Sequence, residues 1–505
     1  MNMRKIIILS SLLLFPFLAP ANEDSRDIPL DHWSYPVLQR FQAKGYVSLP
    51  VSRPYQRWQV IEQMQDLLRR QMDGAAGLST TDRYYFDKLS QELDIGTTDS
   101  RLSGKEMLSF DDGRAAISAD ISLGLGADIS HNEPPQSRGS GMLDVFGGVP
   151  GIFIFDQRIS LALEKETEKV DRLSGSPKSW RGGKYSTGWA YFRTPHSYLA
   201  LTLGRQQRWW GPGTFGTLLL SDNSEGFDAV DLELNYKRVE LQSFFGILST
   251  DQKRYISGHR LGIKLPWNIG WGFSEAVVYQ ANQIDPAYMN PLLPYYANQW
   301  NQRDDDNVLW SADICWTPGL GFSAYGELLM DDVQYEQDPP APQKLGFLLG
   351  GHWADPAGLP DSDLRVEWAG NQKWVYTHRR YANRYVGADT VNILGHWVGT
   401  DADALDMVLE HRFHPRLNAG VGYQMERHGE GRIDRGYLEA DDPGTSFLSG
   451  TFSRMDQGEI IFQWEPFYWA ALTADIWLAY IKNPNNRPGT GFSDRGLDLL
   501  IKIDF

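Results

Sequence analysis

From Ala115 to Phe505 apolar and polar residues alternate with a period of two, segment after segment. Val230, Leu232, Leu234 and Tyr236 interleave with Asp231, Glu233 and Asn235, and Leu364, Val366 and Trp368 interleave with Asp363, Arg365 and Glu367. In the last segment Leu497, Leu499, Ile501, Ile503 and Phe505 share one face, Asp498, Lys502 and Asp504 share the other, and Leu500 breaks the rule. Such a pattern describes strands with one greasy and one wet face. Roughly 18 segments can be marked, at about 22 residues per strand and connection, as in a large antiparallel barrel with an even strand count. Residues 370–400 are ambiguous. The expected fold class is therefore an all-β membrane barrel of about 18 strands.

A soluble sandwich also alternates, but its apolar faces meet in a shared core. Here no second core signal accompanies the repeat. Trp310, Trp316, Trp368, Trp464, Trp477 and Tyr480 sit near segment ends, where membrane girdles need aromatics. The expected lumen charges are Asp231, Glu233, Asp313, Glu327, Arg365, Glu367, Asp406, Glu410 and Arg412. Their mixed signs suggest cross-strand pairs that fill the interior rather than line a wide channel.

The N-terminus reads as an export signal. Arg4 and Lys5 precede an apolar run from Ile6 to Leu18, and Ala19-Pro20-Ala21 is a cleavage site, so a mature chain from Asn22 is expected. That run is too short to span a bilayer as a helix, which takes about 20 residues. No other run approaches that length. A membrane protein without spanning helices must pair every backbone group within itself, which leaves a closed barrel. The terminal aromatic Phe505 is expected to serve as a membrane-assembly signal, read by the barrel assembly machinery. The implied address is the outer membrane of a Gram-negative cell, with outer-membrane lipid around a monomer.

Aromatics make up 13% of the chain and glycine contributes 49 residues, yet mean hydropathy is only −0.41, as alternation dilutes the apolar signal. The formal charge of −16 makes nucleic acid an improbable partner. One cysteine, Cys315, excludes a disulfide framework.

Residues 22–104 follow the helical period and are expected to form a periplasmic bundle, after a signal peptide at 1–21 and before a barrel at 105–505. Ser34 is positioned to cap a helix carrying Val37, Leu38 and Phe41. Ser52 is positioned to cap a second, with Pro54 in its first turn and a stripe of Trp58, Ile61, Met64, Leu68 and Met72. Ser79 with Asp82 resembles a capping box for a third, carrying Phe86, Leu89 and Leu93 and ending at Gly96. The long connections are expected at Asn132 to Gly147, Leu173 to Lys184, Asn282 to Asp306, Asp332 to Pro342, Gly429 to Phe452 and Pro484 to Asp494, all rich in turn residues.

The most distinctive local sequence runs from Arg205 to Val230 and contains R-W-W-G-P-G. Gly211, Pro212 and Gly213 form a structural turn. Two readings are open. Trp209 and Trp210 can stack on sugar rings while Arg205, Arg208, Ser221 and Asn223 bond hydroxyls, a carbohydrate-binding set. Alternatively, the segment is a constriction packed by tryptophan and braced by arginine. His352 and His396 open G-H-W turns, where orienting the turn is a better reading than metal binding. The Asp304–Asp306 and Asp401–Asp403 runs lack the glycine and terminal glutamate of a Ca²⁺ loop and read as solvated turns. No metal, no cofactor and no catalytic residue are expected, as no nucleophile elbow, zinc helix or phosphate loop is present.

The W-W-G-P-G turn, the L-L-L-S-D-N segment after it, the Phe227-Asp228 strand start and the two G-H-W pieces resemble the capsule assembly Wzi family. The resemblance covers most of the chain. It implies an outer-membrane barrel with a periplasmic helical bundle, and a lectin-like role in attaching capsular or exported polysaccharide to the cell surface. The alternatives are a sugar or solute porin and an outer-membrane enzyme acting on glycan or lipid. No single connection is strongly basic, so the identity of the sugar stays open.

Overall fold

The computed structural model describes residues 25–504 apart from 75–76, 96–106, 133–134, 165–177, 181–182, 303–304, 333–340, 389 and 444–446. The expected signal peptide, Gly96 and Phe505 lie outside the described residues.

The chain folds as one antiparallel sheet of 20 strands. In order they are β1 Leu108–Asp111, β2 Ala116–Ser130, β3 Gln136–Val149, β4 Phe153–Glu164, β5 Lys178–Trp180, β6 Gly183–Arg193, β7 Leu199–Gln206, β8 Phe227–Tyr236, β9 Val239–Ser249 and β10 Arg254–Leu265. There follow β11 Ile269–Gln280, β12 Asn307–Trp316, β13 Phe322–Asp332, β14 Lys344–Ala354, β15 Ser362–Asn371, β16 Ala402–His414, β17 Leu417–His428, β18 Ser453–Phe467, β19 Ala470–Lys482 and β20 Gly491–Asp504. The ring closes where β20 pairs with β2, Leu123 facing Ile503 and Asp128 facing Asp498. The short β1 and β5 each flank a single neighbour, so the closed barrel has 18 strands. Closure removes the unpaired edges that an open sheet would present to lipid.

The alternation sorts the faces. Leu203, Leu349, Ile314, Val421, Ile476 and Leu478 are exposed on the outer wall, with Trp316, Trp464 and Tyr480 at strand ends. An apolar band with aromatic margins is the surface an outer membrane requires. Trp477 points the other way. It lies over Gly496, where an added Cβ would come within 2.5 Å of its ring.

Turns at one end are short, as at Lys237-Arg238 and Pro415-Arg416, and three helices seal that end. They are α1 Ser34–Ala43, α2 Arg57–Met72 and α3 Thr80–Glu92. Short turns mark the periplasmic end of such barrels. Val37, Leu38, Phe41, Val60, Met64, Leu67, Phe86 and Leu89 form the bundle core. Ser79 caps α3 through the Asp82 amide at 3.0 Å, as the spacing predicts. The other caps differ. Ser34 is the first helical residue and its amide bonds His32 Nδ1. Gln56 and Gln59 form the box that starts α2, because the Ser52 hydroxyl is taken by Glu240 at 2.9 Å. The buried side of α2 is also rotated from the expected stripe. Met64 is in the core, but Trp58, Ile61 and Leu68 are only half-buried and Met72 is exposed.

The bundle is tied to the barrel by buried charge. Arg40 donates to Asp82 at 2.7 Å, to Asp355 at 2.7 Å, to Asp363 at 3.2 Å and to the Ser362 carbonyl at 3.0 Å. Arg193 holds Asp27 at 2.6 and 3.0 Å, and Lys88 holds Glu465 at 2.7 Å. Three expected connections are shorter than their composition suggested, the one at Leu173 to Lys184 because β5 and the first two residues of β6 fall within it. Residues 136–147 belong to β3 and 491–494 to β20. Glycine-rich sequence reads as turn, but both strands are pinned by cross-strand registers along their length.

Candidate functional site

Two connections turn inward instead of outward. The first, 207–226, follows β7, which is only 8 residues long. It dives into the lumen and reaches the periplasmic side, where Trp209 and Arg53 exchange both backbone hydrogen bonds at 2.9 Å. The second, 372–401, was the ambiguous stretch. It forms no strand but packs Val375, Tyr376, Tyr385, Val386, Ile393 and Leu394 into the main apolar core. That core lies inside the barrel, and Ile256, Ala276, Val278, Leu309, Leu329 and Leu348 face it from the wall.

The lumen charges hold these segments. Glu367 accepts from the amides of Thr214 at 2.6 Å and Phe215 at 3.1 Å, and from the Tyr325 hydroxyl at 2.8 Å. Glu327 accepts from the Leu218 amide at 3.0 Å and the Ser311 hydroxyl at 2.8 Å. The buried Arg254 guanidinium donates to the carbonyls of Ala382, Arg384, Val386 and Gly387. An ion inside a low-dielectric wall persists only with such partners. The alternation signalled Glu327 and Glu367 but not Arg254, which opens its strand. Their partners on distant loops carried no sequence signal.

The segments also clasp one another. Tyr376 donates to the Leu218 carbonyl at 2.5 Å, the Ser221 amide to Leu394 at 2.9 Å, and the Asn223 amide group to Ile393 at 2.9 Å. Gly395 is required here, since a Cβ would lie 2.1 Å from the Leu218 carbonyl oxygen. Gly213 is required in the turn beside Pro212, since a Cβ would lie 1.7 Å from the Gly216 carbonyl oxygen.

The candidate carbohydrate set is therefore not one open face. Trp209 is 5% exposed, and Trp210 is 3% exposed against Phe244 at a ring distance of 5.3 Å. Arg208 is buried and bidentate to Asp231 at 2.7 Å, stacked over Phe227 and Phe244. Arg205 points to the outer face and pairs with Asp228 at 3.1 Å. Ser221 is buried beneath Leu394 and Asn223 is partly buried against Ile393. The geometry is that of a packed, arginine-braced constriction. His352 bonds Asp363 at 2.7 Å. His396 accepts from the Val398 amide at 3.2 Å, and burial pushes its imidazole down to about 3. Asp401 anchors Gly431 at 2.7 Å and Ser449 at 3.0 Å, while Asp403 takes Arg427 at 2.8 Å.

On the extracellular side the same connection, 372–401, meets two others. Asp305, from 281–306, takes Arg379 at 2.7 Å and Arg380 at 2.9 Å, with His378 at 3.6 Å. Burial alone would raise the Asp305 carboxyl; the Arg379 bond and the charges of His378, Arg379 and Arg380 outweigh it and lower it. Burial pushes His378 down to about 4 despite Asp305. Gly436, from 429–452, abuts the His378 backbone, and Arg435 lies over Trp374 at 5.8 Å beside Lys373 at 4.7 Å. Tyr381 is 59% exposed, its ring backed by the Arg384 guanidinium at 3.5 Å. The result is a solvent-facing patch of Lys373, Arg379, Arg380, Tyr381, Arg435 and Tyr437. Its flat ring suits a sugar face and its planar cations suit hydroxyl or carboxylate oxygens. The helix α4, Tyr295–Gln302, takes no part. It lies on the outer wall, where Glu275 accepts from the Tyr295 and Tyr296 amides at 2.8 and 2.9 Å.

The family model for capsule assembly protein Wzi matches residues 153–493. Among solved structures, one described as Wzi, an outer membrane protein involved in group 1 capsule assembly in Escherichia coli and a carbohydrate-binding β-barrel, is 14% identical. It covers 96% of this chain and 100% of its own, with a TM-score of 0.62, and so shares the fold. Pseudomonas aeruginosa OpdK, solved with vanillate, is 10% identical over 77% of this chain and 98% of its own, at a TM-score of 0.47. No curated protein matches the chain.

Proposed function

The chain belongs to the capsule assembly protein Wzi family, and from that premise we propose that it binds exported or capsular polysaccharide at the cell surface and anchors it there. No bond is made or broken in this role. The observation that carries the reading is the extracellular patch of Arg379, Arg380 and Tyr381, held in place by Asp305 across two connections. Side chains pre-set by a neighbouring carboxylate lose little freedom on binding. The inward segments support it too. They occupy the lumen sector against β8–β15 that a solute porin would need open, and they give the surface loops a rigid base. The inward connection 207–226, which holds the W-W-G-P-G turn, contributes from beneath by bracing residues 372–401 through Leu218 and Ser221.

The test is deletion of the protein followed by comparison of cell-attached with shed polysaccharide, and complementation with Arg379→Gln/Arg380→Gln/Tyr381→Ala. Deletion is expected to release polysaccharide into the medium. The triple variant, folding as a heat-modifiable barrel, is expected to leave most of it shed. Normal attachment in the triple variant would refute the patch. Normal attachment in the deletion strain would refute the role.

A further inference from the structure

The opposite mouth of the barrel holds a cleft that the surface role does not use. It lies between the helical cap and the turns joining β8 to β9 and β10 to β11, and its volume is about 800 Å³. That is within the range of roughly 300–1,000 Å³ of small-ligand sites. One wall is α2. Trp58 and Ile61, apolar residues of its stripe that the bundle core leaves half-buried, face the cleft together with Gln59, Gln63 and Gln65. The Gln59 and Gln63 carbonyl oxygens accept from the Gln56 and Ser48 amides at 2.9 and 2.8 Å, which fixes both side chains and leaves their amide N–H groups as donors to a sugar oxygen.

The other wall is cationic. Lys237, Arg238 and Lys264 line it, with Lys264 bonded through its amide to the Arg238 carbonyl at 2.8 Å. All three are exposed, and none forms an ion pair with a carboxylate among the described residues. In a chain of formal charge −16 this is an uncompensated positive edge. Two carboxylates reach the cleft elsewhere. Glu62 stands on the helix wall, and Glu240 on the floor is occupied by Ser52 at 2.9 Å and Gln242 at 2.7 Å. The floor also presents Arg53, whose Nε is buried without a hydrogen-bond partner among the described residues, and Pro212 at the underside of the inward turn.

We infer that this cleft is a second saccharide site, periplasmic, which takes an acidic oligosaccharide with a sugar ring against Trp58 and its carboxylate at Lys237, Arg238 and Lys264. Anionic lipid headgroups can meet the same cations, but a flat apolar ring beside the glutamines suits a sugar face, which a headgroup phosphate does not offer.

The chain supplies its own reporter. Cys315, its only cysteine, lines the cleft. Full-length protein in neutral detergent is titrated calorimetrically with tetragalacturonate and with cellotetraose, a neutral probe of equal length, and Cys315 labelling by a small maleimide is timed with and without each. The acidic probe is expected to bind and to slow labelling. Arg238→Gln/Lys264→Gln is expected to weaken it at least about tenfold, leaving cellotetraose unchanged. Arg379→Gln/Arg380→Gln, at the far mouth, is expected to leave the protection of Cys315 by the acidic probe unchanged and to remove only the calorimetric signal of the surface patch, which separates this site from the surface role. Absence of binding, equal affinity in Arg238→Gln/Lys264→Gln, or unaltered labelling would overturn the inference. So would displacement of the acidic probe by phosphatidylglycerol in nanodiscs, which would assign the edge to lipid.

Discussion

Arg40→Ala is expected to unlatch the helical cap from the barrel. Arg40 is 1% exposed, and its partners Asp82 and Asp363 are fully buried. Removing one member of a buried ion pair costs about 3–5 kcal/mol, because the charge left behind stays desolvated. Here the carboxylates keep other partners. Asp82 and Asp355 retain Lys44 at 2.8 and 2.7 Å, and Asp363 retains His352 at 2.7 Å and Arg412. The lower end, about 3 kcal/mol, is therefore expected, which is a shift of roughly 150-fold in the opening equilibrium of the cap. Limited proteolysis in detergent measures it, as cleavage between α2 and α3 against cleavage of the extracellular loops. The first is expected to accelerate by about two orders of magnitude and the second to stay constant. Arg40→Met restores volume but not charge and is expected to behave like alanine. Cleavage of Arg40→Ala within about twofold of wild type would refute the reasoning, since the latch would then carry none of the attachment.

Acid is expected to loosen the inward segments. His396, held neutral by burial down to about 3, and His378, down to about 4, bind a proton in the unpacked chain near pH 6.5 but not in the packed one. Their contribution is complete above pH 6.5 and is lost as pH falls toward those values, at about 1.4 kcal/mol per unit for each. At pH 5, His396→Gln is expected to lose about 2 kcal/mol less than wild type relative to pH 7.5, read as thermal loss of the compact electrophoretic form; an unchanged difference would exclude His396 as the source. Trp210→Ala is expected to destabilise by about 3–5 kcal/mol, as an aromatic removed from a packed core, and a melting temperature equal to wild type would show that the constriction is not packed as described. Asp498→Asn is expected to be neutral or to stabilise by up to about 1 kcal/mol, because Asp498 faces Asp475 on one side and Asp128 on the other, and the nearby Arg138 is bonded to Asp128; a clear loss of stability would mean that Arg138 and the Trp477 indole outweigh the two carboxylates.

Much of the barrel was legible because strand alternation is local. One face must meet lipid and the other the lumen, so every second residue records its side, as Leu364, Val366 and Trp368 do against Asp363, Arg365 and Glu367. The third helix was legible for the same reason: Ser79 and the Asp82 amide are one turn apart. Residues 372–401 were not legible. Their apolar residues follow neither period, because they pack against Leu218 and the inner wall rather than along a repeating element. The rotation of α2 was hidden too, since Trp58 and Ile61 fit the bundle stripe equally well in sequence.

The amino-acid pattern alone determined a closed antiparallel wall and a helical cap, since both depend on spacings within one element. Only the tertiary structure decided which charges become clamps, which tryptophans are sealed, and where cations gather. No single connection is strongly basic, yet Lys373, Arg379, Arg380 and Arg435 meet at one mouth and Lys237, Arg238 and Lys264 at the other. Coulomb interaction depends on distance in space, and distance in space is what a linear sequence does not carry.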